Sequence, residues 1–190
     1  MTIEIISGSP RIESMTYRVA LHLQQYLKEK TEYQIGLIDV REHNLPPVQT
    51  VFTSVENTPE EYRETTKRMQ SADAFILVTP EYNGSYTSSL KNLLDHFPKQ
   101  HHKPFGIVTA SPGAMGGIRA ALQLQQLVFA LFGIGSPYML LVPSVDKKFN
   151  ESGNLIDGAF ASAVETFVKE YLWLAEKVVD EKLMKQKLAA

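Results

Sequence analysis

The sequence predicts an α/β protein: a doubly wound, three-layer sandwich whose five-stranded parallel sheet runs in the order 2-1-3-4-5. Three observations predict it. Strand-like and helix-like segments alternate along the chain. Four of the five strand candidates are nearly continuous apolar runs, the pattern of strands covered on both faces. The turns after the first, third and fourth strands are polar and contain glycine. In an open parallel sheet those turns share one edge, the edge where ligands bind, and the order 2-1-3-4-5 is one that hosts a mononucleotide.

The strand candidates are residues 2–7, 33–40, 74–79, 105–110 and 135–142, and the helix candidates are 14–30, 59–72, 87–97, 117–132 and 158–182. Thr58-Pro59-Glu60-Glu61 reads as a helix start: a cap residue, proline at the first helical position, then acids in the first turn. Residues 41–57 carry Pro46-Pro47, are too polar and broken for a strand, and predict a lid or rim. Residues 143–154 form a second loop, in which Asn150 to Gly153 predict a hairpin turn. No repeat and no linker is visible, so residues 1–180 read as one domain, with 181–190 as a helical extension or tail.

Composition narrows the function classes. A chain of 190 residues can bury roughly 70% of its unfolded surface as one domain. With 44% hydrophobic and 21% charged residues it reads as a folded globule. A net charge of -2 argues against a nucleic-acid surface or an electrostatic membrane binder. The absence of cysteine excludes disulfides, thiolate metal sites and cysteine nucleophiles. With no signal-like start and no apolar run of membrane-spanning length, a cytoplasmic protein is expected.

The stretch from Ile3 to Arg11 is the most informative. A short apolar strand runs into Ser7-Gly8-Ser9-Pro10-Arg11, and a helix pattern follows from Ser14. Helix-start amides point outward at such a turn and the helix dipole adds partial positive charge, so a phosphate satisfies both. Ser7, Ser9, Ser14 and Thr16 bring hydroxyl donors and Arg11 a charged fork. The turn reads as a cradle for one phosphate.

After the third strand, Tyr82 can stack on a flat ring, and Asn83, Gly84 and neighbouring amides can read a heterocycle's edge. After the fourth strand, glycines at 113, 116 and 117 let backbone approach such a ring from its other side. One phosphate site and one planar-heterocycle site describe FMN better than a dinucleotide.

These pieces resemble the NAD(P)H-dependent FMN reductase family, a flavodoxin-like group with azo-, quinone- and chromate-reducing members. The likeness lies in residues 8–16 (Gly-Ser-Pro-Arg-Ile-Glu-Ser-Met-Thr), in 80–85 (Pro-Glu-Tyr-Asn-Gly-Ser) with Leu90, Lys91, Asn92 and Asp95, and in Ser111-Pro112-Gly113 with Gly116 and Gly117. It implies bound FMN, NADPH or NADH as co-substrate, and a small-molecule electron acceptor such as a flavin, quinone or azo compound. It assigns Ser9, Arg11, Ser14 and Thr16 to the FMN phosphate, with Met15 in the same stretch. Pro80, Glu81, Tyr82 and Asn83 fall to the ring and ribityl side, and Ser111 and Gly113 to the ring's far edge. It implies no catalytic side chain and no metal, since the chemistry belongs to the flavin. Two departures stand out: Thr16 replaces the family's usual asparagine, and Thr87-Ser88-Ser89 replaces a proline-glycine segment. A non-catalytic FMN-binding electron carrier or redox sensor is the alternative on the same fold. A phosphoacceptor receiver domain would need acids after the first strand and an aspartate after the third, where this chain has Ser7-Gly8-Ser9 and Thr79-Pro80.

Other residues read as structural. Glu81 is expected to act through its backbone or as a scaffold group, Lys91 and Asp95 to pair at i, i+4, and Trp173 to lie in the core. His101 and His102 are adjacent, point apart and make a poor metal pair. Residues 117–132 are apolar around most of the helix, which predicts one face on the sheet and another on a second subunit. Leu90, Leu93, Leu94 and Phe97 are expected to join that contact, and the resemblance likewise implies a homodimer or dimer of dimers.

Overall fold

The computed structural model describes the backbone of residues 1–188 and the side chains of residues 1–180. The chain runs β1 (Thr2–Ser7), α1 (Met15–Lys30), β2 (Gln34–Asp39), α2 (Arg63–Ser71), β3 (Ala74–Pro80), α3 (Ser88–Asp95), β4 (Pro104–Ala110), α4 (Ile118–Ala130), β5 (Ile134–Gly135), β6 (Leu140–Val142) and α5 (Ala161–Leu188). The strands form one parallel sheet in the order β2-β1-β3-β4-β5, with β6 also on β4. The sheet is flavodoxin-like, as the sequence predicts.

Two apolar cores explain the layers. Val19, Leu23 and Leu27 of α1 and Val164, Phe167 and Tyr171 of α5 pack on one face. Met69 of α2, Leu90, Leu93 and Leu94 of α3, and Ala121, Leu124 and Val128 of α4 cover the other. The apolar run Ala74 to Val78 in β3 is fully buried, because side chains of alternating direction each meet a helix layer. Glu4, in the centre of β1, is buried and held by the Arg68 fork at 2.9 Å and 2.5 Å, so a buried carboxylate keeps a charged partner.

Four expectations are corrected. The expected strand 135–142 is split: Ser136 to Met139 loop out opposite Gly106 and Ile107, because Pro137 has no amide to give the ladder. Thr58 is not a helix cap; its hydroxyl donates to Ser54 O at 2.7 Å, and a short 3₁₀ turn, Glu60–Tyr62, precedes α2. Trp173 is 59% exposed. The buried face of α5 is Val164, Phe167, Val168, Tyr171, Ala175 and Val179, and Trp173 projects from the opposite side. Leu90, Leu93, Leu94 and Phe97 are buried in the chain's own core and cannot serve a second subunit.

The long loop 41–57 is a strap and not a lid. Asn92 Nδ2 donates to Leu45 O and Pro46 O, both at 3.0 Å, and Phe52 N donates to His96 O at 2.7 Å, so the loop is tied down along α3. The expected turn at 150–153 forms, with Gly153 N donating to Asn150 O at 3.1 Å. This hairpin docks on α1 through Arg18, His22 and Gln25, which share one helix face and reach Phe149 O, Gly153 O and Ser152 O. The last helix continues without a break through Leu188.

Candidate active site

The parallel register brings the carboxyl ends of β1, β3 and β4 to one edge: Ser7 lies beside Val78, and Pro80 beside Ala110. The connection leaving β1 runs to β2 on one side and the connection leaving β3 runs to β4 on the other, which opens a crevice between the two strands at that edge. Of the eleven predicted site residues, Ser9, Arg11, Ser14, Pro80, Glu81, Tyr82, Asn83, Ser111 and Gly113 lie at these strand ends or on the turns that follow them, and Met15 and Thr16 open α1 behind the first turn.

In the first turn, Ser14 caps α1, its hydroxyl oxygen accepting from Tyr17 N at 3.1 Å. Ser9 and Thr16 are buried, yet neither hydroxyl is engaged by the chain itself among the described residues. The amides of Met15 and Thr16, at the helix start, have no helical acceptor. A turn with unspent hydroxyls and amides at a helix N-terminus suits a phosphate. Met15 and Arg11 are exposed, and no carboxylate lies within ion-pair distance of Arg11 among the described residues. Its guanidinium sits 4.9 Å from the centroid of the Tyr82 ring. Sequence reading assigned these two residues to opposite ends of a ligand; in the structure they touch.

The loop after β3 is a two-residue hairpin. Tyr82 and Ser85 exchange both backbone hydrogen bonds, at 2.8 Å and 3.1 Å. Asn83 and Gly84 at its tip have φ of +50° and +82°, which is why Asn-Gly stands there. Glu81 is a scaffold group: its carboxylate accepts from Arg119 N at 3.1 Å and from Arg119 Nη1 at 3.3 Å, closing the start of α4. The Tyr82 hydroxyl and the Ser7 hydroxyl are buried without a partner, polar atoms left over at the crevice edge.

The loop after β4 is built differently from expectation. Gly116 and Gly117 are buried, with φ of +60° and +84°. A Cβ on Gly116 would stand 3.0 Å from the backbone of Val142 and Pro143, and one on Gly117 3.0 Å from Thr109. These glycines serve close packing against the chain itself. Gly113 is exposed, its amide donating to Ser111 Oγ at 3.0 Å, and Ser111 is fixed to the neighbouring strand by Ser111 N on Val142 O at 3.0 Å.

Sequence reasoning missed three residues. Thr87 caps α3, accepting from Leu90 N at 3.1 Å, while its hydroxyl donates to Gly8 O; it ties the third-strand loop to the first turn. Asp39, at the end of β2, holds Arg41, which reaches the first turn from the other side. The departure Thr87-Ser88-Ser89 pointed to the first of these; nothing local in the sequence marked the other two.

Comparison with known proteins joins this geometry to an activity. The family model described as NADPH-dependent FMN reductase matches residues 1–144. The chain belongs to the NADPH-dependent FMN reductase family. It is an FMN-dependent oxidoreductase that uses NAD(P)H. As a member of this family it is 30% identical, over 87% of its length and 90% of the relative's, to an FMN-dependent NADPH-azoreductase of Staphylococcus aureus. Its fold is similar to that of the flavoenzyme NAD(P)H:(acceptor) oxidoreductase FerB from Paracoccus denitrificans, with a TM-score of 0.78 and 22% identity over 93% of this chain and 97% of that one. A flavodoxin from Pseudomonas aeruginosa superposes with a TM-score of 0.56 and 18% identity, over 90% of this chain and 99% of that one.

Proposed function

We propose that this FMN reductase holds its cofactor in the crevice between β1 and β3 and passes reducing equivalents from NAD(P)H to a flavin, quinone or azo acceptor. The observation that carries this reading is the first turn: the hydroxyls of two largely buried residues, Ser9 and Thr16, without a hydrogen-bond partner among the described residues, stand at a capped helix start beside the guanidinium of Arg11, which meets no carboxylate among those residues. That donor set fits the dianionic phosphate of FMN. Ser9, Thr16 and the amides of Met15 and Thr16 bind it, Ser14 keeps the helix start in shape, and Arg11 offsets its charge. Pro80, Glu81, Tyr82 and Asn83 border the ring from the third-strand loop, and Ser111 and Gly113 border its far edge. When bound, FMN supplies the hydride chemistry. The protein's part is to orient the ring and keep one face open to nicotinamide and acceptor in turn; no side-chain acid or base is assigned.

Residues 1–180 act in this reading as one FMN-binding unit, with 181–188 continuing the last helix and 189–190 lying outside the described residues, in a cytoplasmic enzyme. A homodimer accompanies it. On α4 and just after it, Leu122, Phe129 and Phe132 are 49%, 69% and 56% exposed, an apolar face that a second copy would cover. The described residues include no helix long and apolar enough to cross a membrane.

The test is a visible spectrum of the protein loaded with FMN. The expected result is flavin absorbance bleached by NADPH or NADH and restored by a quinone or azo dye. Bound FMN that a reduced nicotinamide never bleaches identifies a non-catalytic carrier instead, and failure to bind FMN removes the reading altogether.

A further inference from the structure

We propose that Arg41, clamped by Asp39, is a positioning residue that holds the turn between β1 and α1 in its ligand-receiving shape. This role presupposes that the turn receives the FMN phosphate.

The turn has little of its own to hold it. Pro10, Arg11, Ile12 and Glu13 are exposed, Ile12 to 91%, so no core contact fixes the tip. Its base is secured by Gly8 N on Val78 O at 2.8 Å and by the Thr87 hydroxyl on Gly8 O. Beyond that base, in residues 9–13, the one backbone group bonded to the rest of the chain among the described residues is the Ile12 carbonyl. It accepts from Arg41 Nη1 at 2.8 Å.

Arg41 is itself held fast. Its Nε donates to Asp39 Oδ1 and Oδ2 at 3.0 Å and 2.9 Å, and its Nη2 also meets Oδ2. Asp39 is 3% exposed at the end of β2 and is gripped a further time by Arg41 N at 3.0 Å. The guanidinium lies 4.2 Å from the centroid of the Tyr17 ring, in the first turn of α1. One side chain therefore joins the end of β2, the tip of the turn and the helix that follows it. Clefts of about 320 Å³ and 370 Å³ flank Arg41, the first lined by Pro10 and His43 and the second by Ile12 and Tyr17. The fork is spent on Asp39 and Ile12, so Arg41 acts through the turn and does not supply another phosphate ligand.

The test compares FMN with riboflavin, which lacks the phosphate, by quenching of flavin fluorescence on the apoprotein. The unmodified protein is expected to bind FMN more tightly. Arg41→Ala is expected to lose FMN affinity by about tenfold to a hundredfold, the span of one charge-assisted hydrogen bond, with riboflavin affinity changed less than about twofold. Asp39→Asn, nearly isosteric, is expected to move the ratio in the same direction and keeps the question answerable where Arg41→Ala folds poorly. An unaltered FMN-to-riboflavin ratio in both variants, or an equal loss for both flavins, overturns the positioning role and leaves the phosphate site standing. A failure of the unmodified protein to distinguish the two flavins overturns the phosphate site itself, and the strut's role with it.

Discussion

At the scale of single residues, the site divides into groups that are spent and groups that are free. Glu81 and Arg119 satisfy each other, as do Asp39 and Arg41. Among the described residues Arg11 meets no acid, only the Tyr82 ring. Arg11→Ala is therefore expected to weaken FMN binding by about 1.5–3 kcal/mol, the range for hydrogen bonds to charged groups, with folding stability nearly unchanged, since the residue is exposed. Titration of the apoprotein with FMN measures the first, and equal affinity in the variant would remove Arg11 from the site. That Ser9, Arg11, Ser14 and Thr16 gather about one turn was legible in the sequence because a strand, a turn and a helix start follow one another within a few residues. The bonds that Thr87 and Arg41 make were not, because the carbonyls they hold lie 79 and 29 residues away and only the folded sheet makes them neighbours.

At the scale of elements, helix starts do much of the organising. Thr87 serves two elements with one hydroxyl group, accepting from Leu90 N and donating to Gly8 O. Thr87→Val keeps the shape and removes both bonds. It is expected to cost about 1–2 kcal/mol, readable in urea unfolding, and to weaken FMN binding as the first turn loosens. A variant as stable as the parent would show the cap to be idle. The hairpin on α1 carries a pH dependence. Burial lowers the pKa of His22 below its ordinary 6.5, against the raising effect of its hydrogen bond to Gly153 O. The unfolded chain then takes up a proton more readily than the folded one, so this contribution to stability is complete above about pH 6.5 and declines as pH falls. His43 is lowered in the same direction, also by burial. The thermal midpoint is expected to drop on acidification below about pH 6.5, and His22→Gln to flatten part of that slope; an unchanged slope would clear His22 of the effect. Among the helices, α1 and α4 were legible from apolar spacing, whereas the start of α2 was not. Thr58 carries the residue type of a cap, but its hydroxyl turned back to Ser54, a competition between local partners that composition does not reveal.

At the scale of the whole molecule, the sheet order was readable because buried parallel strands write themselves as apolar runs, and the convergence of three loops followed from that order alone. The side of a helix that faces solvent was harder. Residues 117–132 look apolar all round, and the fold leaves Phe129 69% exposed, while the leucines of α3 turn inward to the core. If a second copy covers Phe129, Phe129→Glu should shift sedimentation from dimer toward monomer, at a cost of about 2 kcal/mol per copy, with far-ultraviolet dichroism unchanged. A variant that sediments as the parent does would place any contact elsewhere.

The interruption of the outermost strand has a bearing on behaviour in concentrated solution. On that side the sheet ends in the two-residue β5 and the three-residue β6, separated by a stretch containing Pro137. A neighbouring molecule seeking to extend the ladder finds no long, flat row of amides and carbonyls to copy, and so fibril-like stacking has no template at this border. The same kink that spoils the regular pleat thus guards this border of the sheet against self-propagating assembly.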